Sequence, residues 1–253
     1  MKMRTYIITA AGGNGTAIKV LKRGLTRERY IKRGKMLGAR LESYGAEQVG
    51  FLISSESRFE MAGGEFCGNA ARSAAILLSQ VTGPHVSFEM SGYDGTVQAQ
   101  VLPCAGSRYL VRCVFPGLPL ERRDTRLQNG QSVSVVDLGG IVHVVVDGPF
   151  PSERTLYEKE QRSIVSELGL GGRGAVGVLW VMRQENSVCM CPVVWVKEVD
   201  TFFFEQSCGS GTIAVGLVTG AQSVIQPTGQ KIEVEIGNNN CTLRSEMEVV
   251  YEN

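Results

Sequence analysis

The sequence predicts an α/β fold made of two similar halves, and three observations carry that expectation. Short alternating or β-branched segments recur along the whole chain, with only four stretches that read as helix. The 253 residues suffice for one large domain or for two lobes of about 125 each. One motif occurs twice: Glu65-Phe66-Cys67-Gly68-Asn69-Ala70-Ala71 is echoed by Glu205-Gln206-Ser207-Cys208-Gly209-Ser210-Gly211-Thr212. The two cysteines lie 141 positions apart, one in each half, and each opens a stretch of helix formers. Duplication of one unit explains such a pair.

In chain order, a strand is expected at 5–11, running into Gly12-Gly13-Asn14-Gly15, and a helix at 25–45. Strands follow at 49–54, 86–90, 96–102, 109–115 and 132–136. Val97, Ala99 and Val101 alternate there with Gln98 and Gln100, the pattern of a half-buried strand. Pro116-Gly117-Leu118-Pro119, followed by Glu121-Arg122-Arg123-Asp124, reads as the boundary between the halves. The lobes are therefore 1–117 and 118–244, with a final strand, 245–253, free to return to the first. The second half carries strands at 141–146, 176–182, 188–196, 231–236 and 247–251. Its helices fall at 152–168 and 212–218, and the first half has their counterpart at 70–78.

Composition excludes several classes. With 43% hydrophobic and 20% charged residues the chain can bury a core and is not disordered. A net charge of +1 gives no bulk attraction to nucleic acid or membrane. Between Lys19 and Arg40 nine Lys/Arg face only Glu28, but Tyr30 alone interrupts them with an aromatic ring. The run reads as a solvated helix face. The longest apolar runs, such as 176–182, fall far short of the roughly 18 residues of a membrane helix, and the start lacks a secretory signal. Seven cysteines, an odd number, point to reduced thiols in the cytoplasm.

Cys67 and Cys208 stand where unpaired backbone N–H groups and the helix dipole favour negative charge. That predicts a thiol pKa below the usual 8.5 or so. The same N–H groups, exposed through Gly68, Gly209 and Gly211, can grip a carboxylate. Two such helix starts facing each other would hold one carboxylate between two thiols, an arrangement suited to proton transfer at the adjacent carbon. Cys104, Cys113 and Cys241 lie in or beside strand patterns and read as structural. Cys189 and Cys191 share one strand face, and His85 and His143 show no zinc spacing, so no metal site is expected. Gly13-Asn14-Gly15 lacks the third glycine of a dinucleotide fingerprint, and no phosphate-binding Gly-Lys motif is present. A thiol hydrolase using His143 as base and a nucleic-acid binder using the basic helix stay open as alternatives.

Met61-Ala62-Gly63-Gly64-Glu65-Phe66-Cys67-Gly68-Asn69-Ala70-Ala71-Arg72 and Ser207-Cys208-Gly209-Ser210-Gly211-Thr212 resemble the two catalytic boxes of the diaminopimelate epimerase family. Gly13-Asn14 and Gln48-Val49-Gly50-Phe51 occupy places where that family also meets substrate. The resemblance implies two pseudo-symmetric lobes, each a barrel-like mixed β-sheet around a central helix, with the active site in the cleft between them. It also implies a homodimer, a small amino-acid substrate and no cofactor. Three polar anchors of diaminopimelate epimerase are replaced by Met61, Ile141 and Val199, which would leave that substrate's distal charges unpaired at high cost. The pattern is closer to histidine racemases of staphylopine-type metallophore pathways, which similarly carry Glu-Gln-Val-Gly-Phe, here Glu47 to Phe51.

On this resemblance Cys67 and Cys208 take and return the α-proton from opposite faces. Gly68, Asn69, Gly209, Ser210, Gly211 and Thr212 hold the carboxylate, and Asn14 and Gln48 hold the α-ammonium or carboxylate. Glu47 or Glu198 meets an imidazole or another cationic side chain. A racemase of 2,4-diaminobutyrate, diaminopimelate or another basic amino acid is the near alternative.

Overall fold

In the computed structural model, which describes residues 4–185, 187–199 and 201–253, the strands pair into one continuous 16-stranded sheet. The first half contributes β1 (Thr5–Ala10), β2 (Gly13–Leu21), α1 (Arg27–Leu41), β3 (Ala46–Ile53) and β4 (Arg58–Met61). It continues with α2 (Gly68–Thr82), β5 (His85–Met90), β6 (Tyr93–Pro103) and β7 (Arg108–Pro116). Then come β8 (Glu121–Arg126), β9 (Ser132–Asp137), β10 (Val142–Asp147), α3 (Arg154–Glu167), β11 (Ala175–Gln184) and β12 (Ser187–Val196). The chain ends with β13 (Thr201–Phe204), α4 (Gly209–Thr219), β14 (Ser223–Ile225), β15 (Lys231–Ile236) and β16 (Asn240–Glu252).

Parallel neighbours need a crossover, and here every crossover holds a helix. The parallel pairs β2–β3 and β10–β11 are bridged by α1 and α3, which cover the sheet from outside. The pairs β4–β5 and β12–β14 are bridged by α2 and α4, the helices that begin at the two cysteines. The halves therefore share one order of crossovers, which is the duplication visible in the motifs.

Strands β1 to β7 are neighbours in succession, and β16 closes the ring by pairing with both β7 and β1. Eight strands thus form a closed barrel. Inside it lies α2, whose Ala70, Ala71, Ala74 and Ala75 are fully buried. A helix apolar on every side is one surrounded by protein, and alanine lets the strands come close all round. From β16 the sheet runs on through β15, β14, β12, β11, β10 and β9 to β8, curving around α4, with β13 paired to β12 alone. Among the described residues no strand pairing closes this second curve. Instead Arg122 of β8 donates to the Val218 carbonyl near the end of α4 at 3.3 Å.

Two details add to the expectations. The charged residues that follow Pro116-Gly117-Leu118-Pro119 form an edge strand, β8, whose mostly exposed charges suit an edge that must not recruit further strands. The final strand, placed at 245–253 or its core 247–251 from the sequence, runs for 13 residues and pairs with β15, β7 and β1 in turn.

Candidate active site

The helix starts of α2 and α4 are built alike. Cys67 has φ −135° and ψ 109° and its Sγ accepts from the Ala70 N–H at 3.4 Å. Cys208 has φ −137° and ψ 109° and its Sγ accepts from the Gly211 N–H at 3.3 Å. The two N-termini abut. A Cβ added to Gly68 would lie 3.2 Å from the Gly209 carbonyl carbon and the Ser210 nitrogen, and one added to Gly209 would lie 2.9 Å from the Gly68 carbonyl carbon. Only glycine permits that approach, and it brings two positive helix ends to one point, a seat for an anion. The fully buried Arg72 stands behind it, donating to the Gly68 carbonyl at 3.1 Å and to Asn69 Oδ1.

A hydrogen-bonded line runs from the first thiol toward the second. Cys67 donates to Gln48 Oε1 at 3.0 Å, and Gln48 Nε2 donates to Glu205 Oε1 at 2.5 Å. The Glu205 carboxyl stands beside the Cys208 thiol. Beyond Cys208, Ser210 Oγ lies 3.7 Å from Sγ and 2.9 Å from His143 Nε2. Asn14 and Asn69 both donate to the Ser207 carbonyl, at 2.8 and 2.9 Å, and so hold the second motif against the first half.

Both cysteines line an inner cavity of about 20 Å³, with Asn69, Gly209, Ser210, Glu205 and Ile141 among its walls. An outer cleft of about 760 Å³ lies between the α1–β3 side and the α3–β13 side, with Glu47 and Val199 in its lining. Gln48, Glu65 and Phe203 line both spaces and form the neck between them.

Burial dominates the electrostatics. The Cys67 thiol is pushed up to about 12, first by desolvation and then by the Glu205 charge; the Ala70 N–H pulls the other way and loses. Cys208 is raised as well, for the same two leading reasons. The expectation of lowered thiol pKa values is therefore corrected: in the closed site both rest as neutral thiols. Desolvation likewise lifts Glu205 to about 8 and Glu47 and Glu65 to about 7. It lowers the buried His143 to about 3, leaving a neutral imidazole.

Of the residues expected from the sequence, Cys67, Cys208, Gln48, Asn69, Gly209 and Ser210 meet at the inner cavity. Glu47 lines the outer cleft. Gly68, Gly211 and Thr212 lie one layer behind: Gly68 allows the helix contact, Gly211 caps Cys208, and Thr212 Oγ1 donates to the Cys208 carbonyl at 2.7 Å. Asn14, in a left-handed conformation at φ 52°, is buried but lines neither space. Glu198 is exposed in the turn after β12 and lines neither, whereas Glu42, Glu65 and Glu158 join Glu47 in the lining of the outer cleft. Glu205, Glu65 and Phe203 were not anticipated, although a glutamate shortly before each cysteine was visible in the repeated motif. Among the described residues no group of His, Cys, Asp and Glu is placed to hold a metal ion, and no helix is long and apolar enough to cross a membrane.

Architecture gives the class. A PhzF-family phenazine biosynthesis protein from Bacillus anthracis superposes with a TM-score of 0.64 at 13% identity, covering 100% of this chain and 99% of that one. A predicted epimerase from Pseudomonas aeruginosa does so with a TM-score of 0.64 at 11% identity, covering 100% and 98%. The chain thus has the epimerase-like fold these structures share, with a thiol at each of two abutting helix starts.

Within that class, residues 20–248 match the histidine racemase CntK N-terminal domain family, and the chain belongs to it. A histidine racemase from Fusobacterium nucleatum is 29% identical over 220 residues, which are 82% of this chain and 80% of that protein. One from Staphylococcus aureus is 26% identical over 191 residues, 70% and 66% of the two chains. The protein is an isomerase, a racemase.

Proposed function

We propose that the protein racemises free histidine by proton transfer between two thiols. The observation that carries this reading is the pair of cysteines with matching backbone angles, capping abutting helices on a single cavity. With the substrate carboxylate on the helix-start N–H groups, charge building on it as the α-proton leaves meets fixed dipoles. One thiolate takes the proton while the opposite thiol supplies another to the other face. Glu205, beside Cys208, is the group positioned to accept that thiol's proton and make the first thiolate. The side chain points out through the neck, where Glu47 is the acceptor for an imidazole.

An inner cavity of about 20 Å³ has room for roughly one water, so the neck has to widen to admit an amino acid. Val199, in the lining of the outer cleft that receives the side chain, offers no side-chain hydrogen bond to a second charged end, which supports histidine over diaminopimelate. A thiol hydrolase finds no support in the position of His143, whose Nε2 is engaged by Ser210 rather than by a thiol. The same reading puts the protein in the cytoplasm, where thiols stay reduced, as a homodimer that needs no cofactor.

The test is racemisation of L-histidine in deuterated water. Early D-histidine should carry deuterium at the α-carbon while recovered L-histidine carries little, because the donating thiol exchanges with solvent and the abstracting one retains the substrate's hydrogen. Equal early labelling of both would overturn the two-thiol mechanism. Rapid turnover of diaminopimelate but not histidine would overturn the substrate.

A further inference from the structure

The proposed chemistry gives three of the four α-carbon substituents a place: carboxylate at the helix starts, hydrogen on the thiol axis, side chain in the outer cleft. The fourth, the α-ammonium, needs an acceptor at the neck. Most polar groups there are already engaged. Gln48 accepts from Cys67 and donates to Glu205, and Asn69 accepts from Arg72 and donates to Ser207. Ser210 is bonded to His143, and Asn14 lines neither space.

Glu65 is different. Its Oε2, like that of Glu205, is buried without a hydrogen-bond partner, but Glu205 is bonded to Gln48 and stands beside Cys208, whereas Glu65 lines both the inner cavity and the outer cleft. No Lys or Arg lines the inner cavity to neutralise it. Arg27, behind it, spends its guanidinium on the Met61 and Ala62 carbonyls and on Glu60, anchoring the segment that leads to Glu65. Gly63 leaves the space that the carboxylate fills, since a Cβ there would lie 2.5 Å from Glu65 Oε2.

Resting on the racemase reading above, we infer that Glu65 binds the α-ammonium group of the amino-acid substrate. The carboxylate meets the one cationic group that every free amino acid brings, whereas Glu47 meets the group that distinguishes histidine. Burial holds Glu65 up near 7, and an arriving ammonium stabilises its charged form.

The experiment compares binding of L-histidine with that of 3-(imidazol-4-yl)propionate, which lacks only the amino group, in the wild-type protein and in Glu65→Gln. The wild-type protein should prefer histidine, and Glu65→Gln should shrink that preference about tenfold or more, the size of a charged hydrogen bond. A purely structural role would weaken both ligands together and leave their ratio intact. An unmoved ratio in a variant that still binds both overturns the assignment to Glu65 alone. If Glu65→Gln fails to fold, Glu65→Met, which keeps the length of the side chain without its charge, should show the same collapse of the ratio, and retention of the ratio there likewise overturns the assignment. A wild-type protein that racemises no free amino acid removes the reading beneath it and the inference together.

Discussion

The starts of α2 and α4 share a backbone and differ in everything around it. Cys67 lies at the mouth of a closed barrel, its thiol donating to a neutral amide, and a buried arginine five residues on braces the helix. Cys208 opens a helix inside a curve that stays open, its thiol beside a carboxyl, its own N–H held by Gln226 Oε1 at 2.8 Å. The position matching Arg72 is there the apolar Ile213. Helix-cap geometry follows from the shared backbone, while the acid–base character of each thiol is set by neighbours that the duplication did not copy. On the proposed mechanism, each half supplies a different part of one acid–base pair.

The comparison breaks first at the thiols themselves. Cys67→Ala and Cys208→Ala should each lower racemisation about 10²- to 10⁴-fold, read by loss of optical rotation. A variant of either that keeps substantial turnover would show that one thiol suffices. Next comes the brace present in one half only. Arg72→Met removes donors from Asn69, Ser245 and the Gly68 carbonyl, and should cost about 2–4 kcal/mol in denaturant unfolding. Gly209→Ala forces the two helix starts apart and should cost about 1–3 kcal/mol along with activity.

A smaller effect separates the halves by pH. Glu47, Glu65 and Glu205 are raised above 4.5 by burial, so the folded protein keeps protons that the unfolded chain has released. Their contribution is complete below pH 4.5 and is lost as pH rises through about 7 to 8. Glu205→Gln should flatten that decline by roughly a third or more, seen as a smaller difference between denaturation midpoints at pH 5 and pH 8. Glu198→Gln, in the exposed turn after β12, should change racemisation less than about twofold.

Much of this was legible in the chain. Alternation marked β6, strand-like runs marked β7 and β10, and the repeated Cys-Gly box marked both helix starts and hence the centre of the site. What escaped has physical reasons. β8 is an edge strand with charged residues on almost every position, so it shows no apolar alternation. Thr201–Phe204, by contrast, is a strand of four residues, too short for periodicity to register. Glu205 is joined to Gln48 across 157 residues, a contact that no spacing announces. The thiols were misjudged because helix dipoles can be read from a motif, whereas complete desolvation depends on what the rest of the fold packs over it.

The role of β16 has a consequence for the order in which the molecule is made. Its 13 residues are made only after the whole second half, yet they complete the barrel formed with strands from the first 116. The emerging first half therefore leaves the ribosome as an open sheet with two unsatisfied edges, β1 and β7, and α2 lacks part of its wall. Contacts of such long sequence separation form slowly, and open edges invite pairing with other chains. Deleting a dozen residues of β16 should accordingly undo the first-made half, whose barrel closes only after the second half has been made.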